Sequence, residues 1–282
     1  YHRLKLPRWS CSIIEIIIME KVKIHDHGFV RLVDHMGTDE SIENAARISY
    51  GEGTRKKSET EGLIRYLMRH RHTSPFEMCE VVFHLKLPIF VMRQLVRHRT
   101  ASLNEYSGRY SVMSDEFYVP SREYLRKQSQ TNKQGRSDEL AEKGGLLQYE
   151  YNRAHDSSHI AYQNLLREDV SREIARAVLP VSNYTEVVWK SDLHNFFHMV
   201  KLRSDAHAQQ EIRDYSDAMY EIVKPLYPIS CQAFEDYVLN SVSFSQKEMR
   251  MLKEQLNGSW TMDNLGRGLS KREQTEFLEK LK

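Results

Sequence analysis

The stretch EMCEVVFHLKLP, residues 77–88, constrains the fold more than any other, because its side chains alternate strictly between apolar and polar. A period of two predicts a strand with one buried face. That face would carry Cys79, Val81, Phe83, Leu85 and Leu87. Pro88 suits the first turn of a helix over IFVMRQL, since proline is favoured at helix starts. A half-buried strand that runs straight into a helix predicts a domain mixing α and β structure.

Turn signals and helical periods place the other elements. Asp26-His27-Gly28 predicts a turn between two short strands, and YTEVVW predicts a further strand. Helices are predicted over 39–49 with Asp39 as cap, after a Ser58/Glu61 capping box and over 146–168. A short helix is predicted over SREIARAVLP, stopped by Pro180, and residues 191–224 are predicted to be helical in two pieces. The polar stretch 125–145 is predicted to be a mobile loop. We therefore predict a helix-rich α+β fold with a central, mostly antiparallel sheet.

Composition excludes several classes of protein. The 282 residues are 40% hydrophobic, which suffices for a sizeable core, and 41 basic residues balance 39 acidic ones. This balance argues against a nucleic-acid partner. Three cysteines without a CxxC pair favour a reducing, cytoplasmic setting over a disulfide framework or a zinc ribbon. The longest apolar run, IIEIIIM, is too short to cross a membrane, so no membrane partner is expected.

The chain is predicted to have three parts. Residues 1–18 precede the first clean alternation, begin with Tyr1, and are interpreted as an extension or an expression remnant. Residues 19–239 carry the predicted domain. Residues 240–282 have less apolar content and are predicted to form a helical C-terminal tail.

The most polar segment is RHRTASLNEYSGRY, residues 97–110, directly after an apolar run. If 105–109 is extended, Glu105, Ser107 and Arg109 share one side, and Asn104 faces the other with Tyr106. Such a strip offers one face to each of two ligands, with Arg109 as a fork for phosphate or carboxylate. A solvated surface loop with Arg–Glu pairs is the alternative that the pattern leaves open.

Cations and histidines spaced four residues apart are the other candidate groups. Arg176 is flanked by small apolar residues, so its guanidinium needs an anion, either a ligand or an acid such as Glu173 in a buried salt bridge. His194 and His198 share a helix face near Asp192, the spacing of two zinc ligands. No HExxH pattern is present, and we predict no metal.

These segments resemble the flavin-dependent thymidylate synthase family. RHRTASLNEYS fits the family's RHR signature, with Asn104, Glu105, Ser107, Arg109 and Tyr110 in register. PIFVMRQLVRHR, AARISY, HTSPFE, SREIARAVLP and LRSDAHAQQEI resemble its other blocks, in its order. The resemblance runs from about Lys21 to Tyr237, and six blocks in order are very specific.

The resemblance implies a single catalytic domain, an obligate homotetramer and active sites between subunits. It implies FAD, NADPH as reductant, methylenetetrahydrofolate as carbon donor and dUMP as substrate. Flavin-side positions are Ser49, Ser74, Glu77, Arg97, His98, Arg99, Ser102 and Asn104, with His194 and His198 in a variable region. Substrate positions are Gln94, Arg97, Glu105, Ser107, Gly108, Arg109, Arg176 and Arg203. His72, Ser107 and Arg203 are the positions with catalytic roles.

The implied chemistry needs no protein nucleophile, because the reduced flavin supplies the hydride. We interpret Ser107 as a substrate hydrogen-bonding group, since its motif holds no obvious general base. Two other functions remain open on the residues alone. One is an RNA- or DNA-binding module that uses the basic-aromatic strip 97–110. The other is a metallohydrolase built on His194, His198 and Asp192.

Overall fold

The computed structural model describes residues 20–48, 60–131 and 133–256, together with 278 and 280. The chain divides into two compact units, Tyr1–Phe234 and Glu235–Lys282. The predicted extension 1–18, Cys11, Ser49 and the Ser58 capping box lie outside the described residues.

An antiparallel sheet of five strands organises the first unit, as predicted. The strands are β1 (Val22–Ile24), β2 (Gly28–Met36), β3 (Glu80–Pro88), β4 (Ser102–Glu105) and β7 (Tyr184–Asp192), in the order β1-β2-β3-β7-β4. The predicted turn at Asp26-His27-Gly28 joins β1 to β2, where Ile24 pairs with Gly28. β4 lies at one edge of the sheet, so one side of this polar strand has no strand partner in the sheet.

The predicted alternation of β3 is confirmed. Cys79, Val81, Phe83, Leu85 and Leu87 are fully buried. The partner strand β7 continues the same face, because Phe83 pairs with Trp189 and Leu85 with Val187. The opposite face is polar: His84 bonds the carboxylate of Glu186 through Nε2 at 2.7 Å. One apolar face explains why the helices of the core gather on that side.

The first unit also contains helices. They are α1 (Asp39–Ile48), α2 (Thr60–Arg69), α3 (Ile89–Leu95), α4 (Gly144–Arg167), α5 (Arg172–Ala175), α6 (Leu193–Arg203), α7 (Gln210–Val223) and α8 (Pro228–Phe234). Of these, α3, α6 and α7 pack against strands of the five-stranded sheet. Helix α7 packs against β1, β2, α3 and α6, and α8 packs against α1 and α2. Pro88 precedes α3 as predicted, and the long helix predicted over 146–168 is α4.

Asp39 does not cap its own helix, contrary to the sequence prediction. Its buried carboxylate accepts hydrogen bonds from the backbone N–H groups of Ile229 and Ser230 at 2.8 and 3.0 Å, and from the Ser230 hydroxyl at 2.6 Å. These N–H groups open α8 and have no acceptor within that helix. An acid of α1 therefore ties down the start of a helix about 190 residues later.

The stretch 125–145 is not a loop throughout, so that prediction is wrong. Arg126–Gln128 and Arg136–Leu140 form a two-stranded antiparallel ribbon, β5 and β6. Lys127 pairs with Glu139 at 3.0 Å, and Gln128 Nε2 donates to the carbonyl of Gly135 at 2.8 Å. The loop was predicted because this stretch has no alternation of apolar side chains. The two short strands are instead held together by polar side chains that pair between them.

The second unit contains a π-helical turn, Glu235–Leu239, and helix α9, Gln246–Leu256. Met251 is buried there against Phe244, Leu252 and Leu278. Within the part of the chain that the structure describes, no helix is both long enough and apolar enough to span a membrane.

Candidate functional site

Strand β4 presents two different faces, as the sequence predicts. Asn104 pairs with Val188 and Glu105 with Val187, so their side chains point to opposite sides of the sheet. Ser102 shares the face of Asn104. The carboxylate of Glu105 accepts a hydrogen bond from the Thr185 hydroxyl at 2.9 Å.

The extended chain does not continue to Arg109, so the predicted alternation over 105–109 is wrong beyond Tyr106. The N–H groups of Tyr110 and Ser111 both donate to the carbonyl of Ser107 at 3.1 Å, which closes a turn. The Ser107 hydroxyl accepts from the N–H of Arg109 at 3.3 Å. The turn, rather than strand periodicity, places Ser107 and Arg109 in the site.

Gly108 is buried at this turn and makes room for Arg176. A Cβ atom on Gly108 would lie 3.1 Å from Arg176 Cδ and 2.7 Å from Met113 Sδ. Arg176 is exposed, which contradicts the buried salt bridge left open above, and Glu173 pairs with Arg109 instead at 3.4 Å. Two guanidinium groups, those of Arg109 and Arg176, therefore belong to one exposed cluster around the turn.

A second cluster lies at the end of α3. Arg203 donates from Nε to His98 Nε2 at 2.9 Å and from its terminal nitrogen to the backbone carbonyl of Gln94 at 3.1 Å. Because a guanidinium can only donate, His98 is neutral with its proton on Nδ1. Burial, the charge of Arg203 and the neighbouring His198 lower the pKa of His98 to about 4. Burial and the charge of Arg97 lower the pKa of Arg203.

Other predicted flavin-side residues lie on α6 and on the segment that packs against it. Ser74 and Glu77 are exposed, and the 3-10 helix Phe76–Met78 packs against α6, the helix of His194 and His198. His198 lies edge-on to His98, with ring centroids 6.3 Å apart. His72 is exposed just before this 3-10 helix, with its ring 5.8 Å from that of Tyr66.

Asp192 has a structural task at the start of α6. Its carboxylate accepts from Asn195 N at 2.9 Å and from Asn195 Nδ2 at 2.6 Å, which caps the helix. Among the residues that the structure describes, no group of three His, Cys, Asp or Glu side chains is arranged to hold a metal ion. The geometry gives the metallohydrolase reading no support.

Two residues that the sequence did not single out join the second cluster. Gln94 Nε2 donates to Gln209 Oε1 at 2.6 Å, and Gln209 Nε2 donates to Glu211 Oε2 at 2.9 Å. Gln209 and Glu211 also line a polar cavity of about 910 Å³ beside the β5–β6 ribbon. Both lie within LRSDAHAQQEI, but no periodicity in that stretch marks them.

The donor set suits a flavin nucleotide and an anionic substrate. Arg97 and Arg99 are exposed cations, and Ser102 and Asn104 offer polar side chains on one face of β4. Cations and neutral donors are what a pyrophosphate and a flavin ring require. Arg109 and Arg176, in the exposed cluster around the turn, offer two further cations for an anionic substrate.

Fold and site define an α+β protein with an edge strand whose two polar faces suit two ligands. The model of the family described as thymidylate synthase complementing protein matches residues 31–229. The chain is 49% identical over 269 residues to a flavin-dependent thymidylate synthase of Ehrlichia ruminantium, with 95% of this chain and 90% of that relative covered. It is 46% identical to the Dictyostelium discoideum enzyme of the same name, with 93% and 86% covered.

A solved structure agrees with these relatives. A UMP/dUMP methylase, PolB from Streptomyces cacaoi bound with 5-Br UMP, superposes with a TM-score of 0.69 at 34% identity. The match covers 78% of this chain and 99% of that one. The chain belongs to the flavin-dependent thymidylate synthase family, as the motifs predicted. The comparisons support neither the nucleic-acid module nor the metallohydrolase.

Proposed function

We propose that this chain methylates dUMP to dTMP, with methylenetetrahydrofolate as carbon donor and FAD, reduced by NADPH, as hydride carrier. The family match and the relatives' names confirm the predicted class of enzyme, a flavin-dependent thymidylate synthase. The observation that carries the proposal within this chain is the register of β4. It turns Asn104 and Glu105 to opposite faces, one for each ligand.

The flavin would be held on the side of Arg97, His98 and Arg99. The exposed guanidinium groups suit its pyrophosphate, and the neutral His98 has a donor at Nδ1. Ser102 and Asn104 would add hydrogen bonds from one face of β4. We assign the remaining flavin positions to Ser74, Glu77, His194 and His198, and, outside the described residues, to Ser49.

The substrate would be held by the two cationic clusters. Arg109, Arg176 and Arg203 would neutralise its dianionic phosphate, each charge-assisted hydrogen bond contributing about 1.5–3 kcal/mol. Gln94, Arg97, Glu105, Ser107 and Gly108 complete the proposed substrate site.

The chain's own residues orient the reactants and stabilise charge. When bound, the reduced flavin supplies a hydride. Ser107 would hydrogen-bond the substrate, Arg203 would fix both substrate and His98, and His72 would position the folate beside the flavin ring. Orientation of this kind lowers the barrier by converting an encounter of separate molecules into one within a single complex.

We propose that the enzyme is an obligate homotetramer with active sites between subunits. In a single chain, Arg203 bonds to His98 and Gln94, whereas Arg109 bonds to Glu173 and Arg176 packs against Gly108. The three arginines proposed for one phosphate thus have different partners within a single chain, and a second subunit that completes the site would explain this arrangement. The catalytic role of 19–239, the tail role of 240–282 and a cytoplasmic location stay predictions.

An assay of dTMP formation tests the proposal. Purified protein loaded with FAD should convert dUMP to dTMP when NADPH and methylenetetrahydrofolate are present, and the loaded protein should be yellow. Omitting NADPH or removing the flavin should abolish the product. Absence of dTMP from a folded, flavin-loaded protein would refute the proposed function.

A further inference from the structure

The amides of Gln94 and Gln209 and the carboxylate of Glu211 form a chain of hydrogen bonds that runs from the proposed substrate site into the protein. The two links measure 2.6 and 2.9 Å. At its inner end Glu211 is only 4% exposed. Its Oε2 accepts from Arg136 of β6 at 2.9 Å, and its Oε1 accepts from the Tyr118 hydroxyl at 3.0 Å.

The buried end gives this chain a direction. A carboxylate can only accept hydrogen bonds, so Gln209 must turn its amide nitrogen towards Glu211. Its carbonyl oxygen is then left for Gln94, which must turn its own nitrogen inward. Burial and the charge of Glu211 raise the pKa of Tyr118, which keeps that hydroxyl protonated and able to donate to Glu211. The flip of two amides is thus decided by one buried acid.

We propose that Gln209 and Glu211 are positioning residues that hold Gln94 with its carbonyl oxygen towards the substrate. The inference rests on the proposed function, in which Gln94 contacts dUMP. An oxygen held this way can only accept. The group of dUMP that meets it is therefore a hydrogen-bond donor, either the N3–H of the base or the sugar 3′-hydroxyl. Without these two residues, the Gln94 amide could turn either its nitrogen or its oxygen towards dUMP, and its hydrogen bond to the substrate would be weaker.

Replacing Gln209 tests the relay. Gln209→Met keeps the side-chain length and removes both hydrogen bonds, and the residue is exposed, so the fold should be retained. The dissociation constant for dUMP, measured by calorimetry on the FAD-loaded enzyme, should rise about 3- to 10-fold, the scale of a neutral hydrogen bond. Gln210→Met is the matched control, because its neighbouring amide donates to Asp214 at 2.6 Å, outside the relay. The control should leave dUMP affinity unchanged.

A double-mutant cycle separates positioning from a general structural effect. In a Gln94→Ala background, Gln209→Met should cause no further loss of dUMP affinity, because the side chain that it orients is gone. Equal losses in both backgrounds would overturn the relay, as would no loss from Gln209→Met in the wild-type background. A wild-type enzyme that does not bind dUMP would instead refute the proposed function, and the inference with it.

Two substrate analogues identify the donor. One is N3-methyl-dUMP and the other is the 2′,3′-dideoxy analogue, which lacks the sugar hydroxyl. For the analogue that lacks the relevant donor, wild type and Gln94→Ala should bind with equal affinity. If Gln94→Ala still weakens the binding of both analogues as much as that of dUMP, the carbonyl oxygen meets no donor and the proposal is wrong.

Discussion

Arg203 donates from Nε to Nε2 of His98 across 2.9 Å, and this bond links the proposed substrate site to the proposed flavin site. A permanent cation beside a buried imidazole disfavours the imidazolium form, so His98 is neutral at neutral pH. The histidine of the RHR segment is therefore a neutral donor and acceptor, whereas Arg97 and Arg99 on either side are exposed cations. Protonation of this one ring would break the bond.

The first prediction concerns stability against pH. His98 has a folded pKa of about 4, below the value of about 6.5 for an unperturbed histidine. Between these values the unfolded chain binds more protons, so the free energy of unfolding should rise with pH. The contribution of neutral His98 to the free energy of unfolding is complete above about pH 6.5. It decreases towards pH 4 by up to ~3 kcal/mol, at ~1.4 kcal/mol per pKa unit.

Chemical denaturation between pH 4 and 7 measures this effect. His98→Gln should show a shallower pH dependence than wild type, whereas His70→Gln, at an exposed histidine, should not. Parallel curves for wild type and His98→Gln would contradict the assignment.

The second prediction separates binding from stability at Arg109. Its only ion pair that the structure shows, with Glu173, is exposed and 3.4 Å long, so Arg109→Ala should change the free energy of unfolding by less than about 0.5 kcal/mol. Loss of a phosphate contact should weaken dUMP binding roughly 10- to 150-fold. Arg203→Ala should lower both the free energy of unfolding and the affinity for dUMP, because it also breaks the hydrogen bonds to His98 and Gln94.

Isothermal calorimetry and thermal unfolding measure the two quantities. Arg153→Ala is the control, an exposed arginine paired with Glu150 on α4. Unaltered dUMP affinity in Arg109→Ala would remove this residue from the phosphate site.

The third prediction concerns the space at Gly108. The new methyl group of Gly108→Ala would meet Met113 Sδ at 2.7 Å and Arg176 Cδ at 3.1 Å. Met113 is buried beside Tyr162 and Ala175, so it cannot move freely, and overpacking should cost about 1–3 kcal/mol. Displacement of Arg176 should also weaken dUMP binding.

Gly145→Ala is the matched control for this substitution. Nothing lies within 4 Å of its added Cβ, and the residue is in α4, so thermal unfolding should show no loss or a gain of about 0.5–1 kcal/mol. Equal stability of the two alanine variants would show that Gly108 is not under steric constraint.

The fourth prediction concerns the long-range cap. Asp39→Asn places an amide nitrogen against the donors of Ile229 and Ser230, so the unfolding free energy should fall by roughly 2–3 kcal/mol. Glu40→Gln neutralises the exposed neighbouring acid and should have little effect. Urea denaturation of both variants measures the difference. A loss shared by both would point to net charge rather than to the cap.

The fifth prediction is that no cysteine does the chemistry. Burial and the charge of Asp39 raise the pKa of Cys79 to about 11, so its thiol is not ionised at neutral pH. Cys231 is also buried, and Cys11 lies outside the described residues. The triple variant Cys11→Ser, Cys79→Ala, Cys231→Ala should still make dTMP, at a stability cost of about 1 kcal/mol for each small void. Circular dichroism checks the fold, and a folded, flavin-loaded variant without dTMP formation would show that a thiol is needed.

The sequence by itself determined the local elements and the family. The alternation from Cys79 to Leu87 predicted β3 and its buried face, because that pattern depends only on neighbours along one strand. Pro88 marked the start of α3 for the same reason. The blocks around RHRTASLNEYS identified the enzyme class, because the residues that bind the ligands in this family occur there in the family's order. The opposite orientations of Asn104 and Glu105 followed from a period of two.

Only the tertiary structure decided which partner each polar side chain has. Asp39 caps α8 instead of its own helix, Glu173 pairs with Arg109 instead of Arg176, and Gln209 joins Gln94 across 115 residues. The 105–109 segment turns at Ser107, and the polar stretch 125–145 forms a ribbon. Burial of the apolar faces determines which donors and acceptors come close enough to form hydrogen bonds. Sequence spacing fixes those faces, but it does not fix which distant polar groups then meet.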